Sequence, residues 1–211
     1  GNINNKKIHD IEFSFDDGTI QDLKVVSILN EFGLKATFYV IVDKVGKSGY
    51  LTWEDIKELD KNGFTIGSHT ITHPQDMKLL YEQDLFYEIQ NSKEMIEAVL
   101  GHNISRFCYP RGRADERVKG FVKGAGYVDA RGTGKVGVTK KDDLFYLPGS
   151  VHIFKREDYG KQSILDYGKL TIDNVVRHGG YCNIWAHSWE LDRDGNWDVL
   201  RELARYVSTR I

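Results

Sequence analysis

The chain has 211 residues, with 29 Lys and Arg against 31 Asp and Glu, a formal net charge of −2. That near balance excludes a general nucleic-acid binder, which needs a basic surface to displace counterions. A composition of 40% hydrophobic and 28% charged residues excludes disordered, collagenous and membrane-spanning classes. At roughly 150 residues per domain, the length suits one domain able to bury a core without disulfides. Cys108 and Cys182 each lie in an apolar, strand-like stretch and read as buried thiols rather than a bridge. The longest apolar run, Ala36 to Val42, is far too short to span a bilayer. Residues 1–10 lack the apolar centre of a secretion signal. They read as a linker, or as the edge left where a leader or neighbouring domain is removed, and residues 11–211 read as the folded domain.

Strand-like and helix-like patterns alternate along the chain. Ile11 to Phe15 alternates apolar and polar residues, as a strand with one buried face does. Ile20 to Phe32 has apolar residues at Ile20, Leu23, Val26, Leu29 and Phe32, a helical stripe closed by Gly33. Ala36 to Val42 is β-branched and aromatic, hence a fully buried strand. Thr52 caps a helix with an acid, Asp55, three residues on; it runs to about Lys61 and Gly63 ends it. Phe64 to Ile66 is the next strand. Tyr81 to Leu100 is the clearest helix, with Leu85, Ile89, Ile96 and Val99 facing inward and Gly101 at its end. Ile104 to Tyr109 is a short strand, Glu116 to Lys123 a helix and Tyr127 to Ala130 a strand. The stretch from Lys135 to Leu170 is less regular, with Leu147 to Phe154 its best strand. Thr171 to His178 is a helix, Tyr181 to Ala186 a strand, and Trp197 to Val207 a closing amphipathic helix.

Six or seven strand–helix units imply a mostly parallel sheet with helices outside it, either open and doubly wound or closed as a small barrel. Both forms gather ligands at the carboxyl ends of their strands, and the unusual polar clusters fall at those places. Asp16-Asp17-Gly18 follows the first strand, Ser68-His-Thr-Ile-Thr-His73 the third, and Trp185-Ala-His-Ser-Trp-Glu190 the last. In an extended strand His69 and His73 would lie about 13 Å apart, too far to share an ion. Within a single helical turn they would be neighbours, and Pro74 would end that turn. Two imidazoles and one carboxylate leave open positions for water and substrate, as in a catalytic zinc site. Asp16 or Asp17 supplies the carboxylate, and the other stays free as a base.

These motifs resemble those of the polysaccharide deacetylases, the NodB-homology domain of carbohydrate esterase family 4. Phe13-Ser-Phe-Asp-Asp-Gly18 is similar to that family's first motif and Ser68-His-Thr-Ile-Thr-His73 to its second. The resemblance extends over Ile11 to about Val207. It implies an α/β fold, a distorted (β/α) barrel of about seven units, and a metal-dependent deacetylation. It makes Asp16 the catalytic base and Asp17, His69 and His73 the ligands of a divalent metal, most simply zinc. In Phe107-Cys-Tyr-Pro-Arg-Gly112, Pro110 and Gly112 fit the third motif. Cys108 stands where the family has a base-orienting arginine, and Arg111 stands where a tyrosine's backbone N–H faces the oxyanion. The orienting role then falls to Arg106, Arg111, Arg113 or Arg131. His187, in Trp185-Ala-His187, fits the general acid of the fifth motif. The fourth motif is poorly matched, and Asp129, Glu190 and Asp192 compete to tether His187.

The implied substrate is an acetylated polysaccharide or oligosaccharide, either an N-acetylglucosamine polymer or O-acetylated xylan. Trp189 is the best aromatic face for a sugar, whereas Trp53 and Trp197 sit at helix starts and read as packing residues. His9, His102, His152 and His178 match no motif. Two rival readings keep the scaffold: a retired, carbohydrate-binding domain, and a deacylase of a small N-acyl sugar conjugate. An Fe(II) oxygenase, which also uses two histidines and a carboxylate, is opposed by the strand–helix alternation. A monomer is expected, and a place in a larger multidomain chain is compatible with the sequence. The resemblance alone favours an extracellular or cell-envelope location.

Overall fold

The computed structural model describes residues 9–211, so most of the expected linker lies outside the described residues. Seven strands are β1 (His9–Asp17), β2 (Thr37–Val40), β3 (Thr65–Ser68), β4 (Arg106–Cys108), β5 (Asp129–Arg131), β6 (Val151–His152) and β7 (Gly180–Ala186). They form one sheet in the order β5-β4-β3-β2-β1-β7-β6, and every neighbouring pair is parallel. The sheet curls into the barrel-like form expected, with helices covering its outer face.

The seam between β5 and β6 is bridged by a single stretch of chain. Leu147 pairs with Arg131, its N–H donating to Ala130 O at 2.8 Å, while Gly132 N–H donates to Leu147 O at 3.0 Å. A few residues on, Val151 and His152 pair with Ile184 and Trp185 of β7. This is why the strand expected over Leu147 to Phe154 is broken in two. One segment serves two sheet edges, and only Val151–His152 remains a regular strand.

The helices are α1 (Asp22–Glu31), α2 (Trp53–Lys61), α3 (Glu82–Phe86), α4 (Ser92–Leu100), α5 (Glu116–Gly124), α6 (Ile164–His178), α7 (Ser188–Asp194) and α8 (Trp197–Ser208). Helix α2 starts as the sequence predicts. Asp55 N–H donates to Thr52 Oγ1 at 3.0 Å and Thr52 N–H donates to the Asp55 carboxylate at 2.9 Å, a closed capping box. Helix α1 is rotated from its predicted stripe. Asp22, Val25, Ile28 and Leu29 are buried, while Ile20 and Leu23 are each 40% exposed, because Asp22 faces inward to accept a hydrogen bond from Ser188. The helix expected over Tyr81 to Leu100 is interrupted by a π-helical turn, Tyr87–Asn91. Helix α6 starts seven residues before its predicted Thr171, where Ser163 caps it by accepting from Asp166 N–H. Helix α7 follows β7 directly and was not expected from the sequence.

Apolar side chains from both layers, among them Phe15, Phe38, Val40, Leu85, Ile89, Ile184 and Leu203, fill the space between sheet and helices. Inside the curl the residues are polar instead. At the amino-terminal end of the strands Arg106 donates to Glu12, Thr37 and Asp129, and Ser14 donates to Asn183 at 2.7 Å. The reactive residues gather at the opposite end. Gly67 is required on the way: a Cβ there would lie 2.6 Å from the Tyr39 ring. Cys108 and Cys182 are free and buried, as expected. Trp53 and Trp197 pack partly buried against the core. Among the described residues no helix is long and apolar enough to cross a membrane.

Candidate active site

Asp16 and Asp17 are the last two residues of β1. The β1–β7 register sets Phe15 opposite Ala186, so His187, which follows β7, comes level with Asp16. Ser68 pairs with Phe107 and Cys108 with Arg131, which puts His69, Cys108 and Arg131 in one row across three neighbouring strands. Five described non-glycine residues have positive φ, and four of them, Asp17, Thr70, His73 and Arg111, lie in this cluster. Such backbone is sparsely populated for L-residues and persists where the surroundings over-determine it.

The structure brings His69 and His73 together, but without the helical turn that their spacing suggests. Residues 69–73 form an irregular bend with Thr70 at φ 72° and His73 at φ 58°. His73 N–H donates to Thr70 Oγ1 at 2.9 Å, and this local bond folds the loop back. The two rings end with centroids 4.8 Å apart.

Asp17 Oδ1 lies 3.4 Å from His69 Nε2 and 3.9 Å from His73 Nε2. Two nitrogen or oxygen ligands of a tetrahedral zinc stand about 3.3 Å apart, given bonds of roughly 2.0–2.1 Å. The donor set therefore fits a divalent ion with little movement. Two further observations agree. Asp17 Oδ1 is buried and has no hydrogen-bond partner, while Asp17 Oδ2 accepts from Trp189 Nε1 at 3.0 Å. His69 Nδ1 meets the Cys108 carbonyl at 2.8 Å; a carbonyl only accepts, so Nδ1 carries a proton there and Nε2 is the nitrogen turned toward Asp17. Burial pushes the His73 pKa down to about 4, so its imidazole is neutral at pH 7. Burial alone would raise the Asp17 carboxyl, but His69, His187 and Trp189 hold it well below the usual carboxylate range.

Asp16 is completely buried and has a different partner. Arg131 of β5, itself fully buried, donates its Nη2 to Asp16 Oδ1. The Cys108 thiol donates to Asp16 Oδ2 at 3.6 Å. The guanidinium lies over the Trp185 and Tyr39 rings, 4.8 and 5.5 Å from their centroids. Burial raises the Asp16 carboxyl, but Arg131, His69 and His187 outweigh it and the net direction is downward. Of the four arginines weighed from sequence, Arg131 reaches Asp16. Arg106 is tied to Glu12 and Asp129 at the far end of the strands, and Arg113 donates to Gln75 O. Arg111 lines the cavity above Asp16 and Asp17.

His187 Nδ1 is held by Glu190 at 2.6 Å, three residues on in the first turn of α7, and its Nε2 faces Asp17 Oδ2 at 3.9 Å. Asp129 pairs with Arg106 and Asp192 accepts from Trp197, so Glu190 is the tether. Sequence reading missed His152. Its ring stacks on Trp185 with centroids 3.8 Å apart, and its Nε2 lies 3.5 Å from the same Glu190 oxygen. Burial raises Glu190, yet the two imidazoles bring its pKa down to about 2, while burial takes His152 to about 4. Burial lowers His187, but Glu190, Asp17 and Asp16 carry it upward overall. The only signal for His152 in the sequence is its place in the strand expected over Leu147 to Phe154.

Among the described residues three groups of side chains sit close enough to hold an ion: Asp17 with His69 and His73, Asp16 with His69 and Cys108, and His152 with His187 and Glu190. In the second, Asp16 is committed to Arg131; in the third, Glu190 is committed to His187. Only the first presents an unpartnered carboxylate oxygen. Asp16, Asp17, His69, His73, Arg111, Trp185, His187 and Trp189 all line one cavity of about 400 Å³. Trp189, the expected sugar-facing tryptophan, is among them. A second cavity of about 560 Å³ adjoins it, and Arg156 lines both.

The family described as polysaccharide deacetylase matches residues 3–130. A peptidoglycan-N-acetylglucosamine deacetylase of Bacillus cereus is 30% identical over 131 residues, covering 59% of this chain and 55% of its own length. The chain spans between 8% and 55% of the length of the curated relatives it matches. A family 4 carbohydrate esterase from Streptomyces lividans, solved with acetate, superposes with a TM-score of 0.66 at 18% identity, covering 96% of this chain and 90% of that one. BA3943, solved as a mutant of a family 4 pseudoenzyme with restored activity, superposes with a TM-score of 0.63 at 19% identity, covering 95% and 64%. At such identities the last two comparisons establish the fold.

Proposed function

The chain belongs to the polysaccharide deacetylase family, and from that premise we propose that residues 11–211 form a metal-dependent hydrolase that removes acetyl groups from a carbohydrate polymer. The observation that carries this reading is the buried, unpartnered Asp17 Oδ1 facing the Nε2 atoms of His69 and His73. Asp17, His69 and His73 would hold the ion, and zinc suits their mixed oxygen and nitrogen donors. Once bound, such an ion supplies Lewis-acid polarisation of the acetyl carbonyl and lowers the pKa of a water.

The chain's own groups divide the remaining work. Asp16, kept ionised by Arg131, takes the proton of the attacking water. The backbone N–H of Arg111 donates to the oxyanion that forms at the carbonyl. His187, kept protonated by Glu190 and aimed through Nε2, gives its proton to the departing amine or alcohol as the C–N or C–O bond breaks, and acetate is released. Trp185 and Trp189 frame the acetylated sugar, and the adjoining cavity leaves room for further units. That room supports an oligosaccharide or polymer over a small N-acyl conjugate. The substrate is an N-acetylglucosamine polymer or O-acetylated xylan.

The retired-domain reading is favoured by the cysteine at position 108 and by the pseudoenzyme among the similar folds. It is opposed by Arg131, which supplies from β5 the charge that Cys108 lacks. The deciding experiment measures acetate release from N-acetyl chito-oligosaccharides and from acetylated xylan, with zinc-loaded and chelator-treated protein. Metal-dependent release from either is expected, with Asp16→Asn keeping zinc and losing roughly 10²–10⁴-fold in kcat. Zinc binding without release from any acetylated glycan would leave the retired domain as the better reading.

A further inference from the structure

Between α3 and α4 the long helix widens into a π-turn, Tyr87–Asn91, and Glu88 lies within it. π-turns of this kind insert a residue and re-aim the side chains that follow, and they collect at functional sites. The carbonyl of Ile89 accepts from Tyr127 Oη and from Ser92 Oγ, each at 3.0 Å, so side chains stabilise the distorted turn. The Ser92 hydroxyl also meets that of Ser68, at the end of β3, at 2.7 Å.

Glu88 is 5% exposed, and among the described residues it pairs with no cation. Its Oε2 accepts from the backbone N–H groups of Ile71 and Thr72, each at 2.9 Å, and its Oε1 accepts from the Thr72 hydroxyl. Ile71 and Thr72 are the middle of the bend between His69 and His73, flanked by the positive-φ residues Thr70 and His73. A single carboxylate therefore grips the centre of a strained loop whose two ends carry the imidazoles. We propose that Glu88 is a positioning residue for the metal site: it pre-forms the two-histidine loop and so sets metal affinity, touching neither metal nor substrate. This rests on the reading of Asp17, His69 and His73 as ligands.

The test compares zinc affinity, by competition with a chelator, for the full chain and for Glu88→Met and Glu88→Gln, with thermal melting as a check on folding. Met has the length and helix preference of Glu but accepts no hydrogen bond; Gln keeps an acceptor oxygen. Glu88→Met should bind zinc about 10–100-fold more weakly, the usual loss for an outer-shell change. Glu88→Gln should recover most of that loss, and kcat of Glu88→Met at saturating zinc should return near the parent value. A folded Glu88→Met with parental zinc affinity would overturn the inference. A second measurement needs no variant: amide exchange of Ile71 and Thr72 in metal-free protein. Slow exchange supports a pre-formed loop, and exchange as fast as an exposed turn overturns it. If the parent chain binds no zinc at all, the ligand reading fails. The amide exchange then shows separately whether Glu88 holds the loop.

Discussion

The side of the cavity proposed to hold the metal and the side proposed to supply the acid are built in opposite ways. On one side Asp17, His69 and His73 come from two strand ends, and the two histidines share one five-residue loop. On the other, Arg131, His152, His187 and Glu190 are drawn from β5, β6, the end of β7 and α7, the first and last 59 positions apart in the sequence. The family match covers residues 3–130 and so takes in all of the first side and none of the second. A ligand set must meet one ion with fixed distances, which ties it to a local loop geometry. A base or an acid needs only a charge of the right sign within reach, and many strand positions can deliver one.

The largest expected effect tests the metal side. Asp17→Ala removes the only carboxylate of the three proposed ligands together with the acceptor of Trp189 Nε1. It should abolish stoichiometric zinc binding in a calorimetric titration and reduce acetate release by about 10³-fold or more, as loss of a Lewis acid and its acidified water requires. Zinc binding at parental affinity in this variant would transfer the ligand role to Asp16 and undo the division between the two sides.

The next effect tests whether the guanidinium is tied to its strand. Arg131→Ala leaves Asp16 buried with only a thiol beside it. Stripping one partner from a buried ion pair costs about 3–5 kcal/mol, measurable as a lower denaturation midpoint, and kcat should fall with it. Cys108 lies opposite Arg131 in the β4–β5 register and already faces Asp16. Adding Cys108→Arg to the Arg131→Ala background should therefore restore part of both losses. No recovery in a folded double variant would mean that only β5 can present the charge to Asp16.

The same contrast explains what was legible in the sequence. The alternation of strands and helices, the gathering of the polar clusters at the carboxyl ends of strands, and the capping box at Thr52 follow from local chemistry and periodicity and are present in the structure, although β1 runs on through Asp16 and Asp17. The His69–His73 pairing was legible too, although a helical turn was the wrong means. No spacing rule anticipates a loop held by Thr70 Oγ1 and by Glu88, 15 residues beyond His73. Arg131 and Glu190 appeared only among several candidates, because sheet register decides which side chain reaches Asp16 and helix α7 decides what faces His187. His152 carried no motif at all. Its role depends on β6 lying beside β7, and that adjacency comes from a stretch of chain that bridges the barrel seam.

The smallest effect separates the tether from the rest of the acid-facing side. Burial lowers the His187 pKa, and the hydrogen bond it donates to Glu190 is the largest influence raising it, ahead of Asp17 and Asp16. The acid must carry its proton to act, so activity is present below the His187 pKa and is lost as pH rises through it. Glu190→Gln keeps the shape and removes the charge. The alkaline limb of kcat should then move to lower pH by about one unit, the low end for loss of an adjacent opposite charge. The acid limb should stay in place, because Asp16 is held down by Arg131 and not by Glu190. An amide, whose nitrogen leaves poorly without a proton, should lose more rate than an ester at the same pH. His152→Phe supplies the contrast: His152 is neutral at pH 7, so its replacement should leave the alkaline limb nearly fixed. Equal shifts in both variants would mean that the stacked pair of His152 and Trp185, and not the Glu190 charge, governs His187.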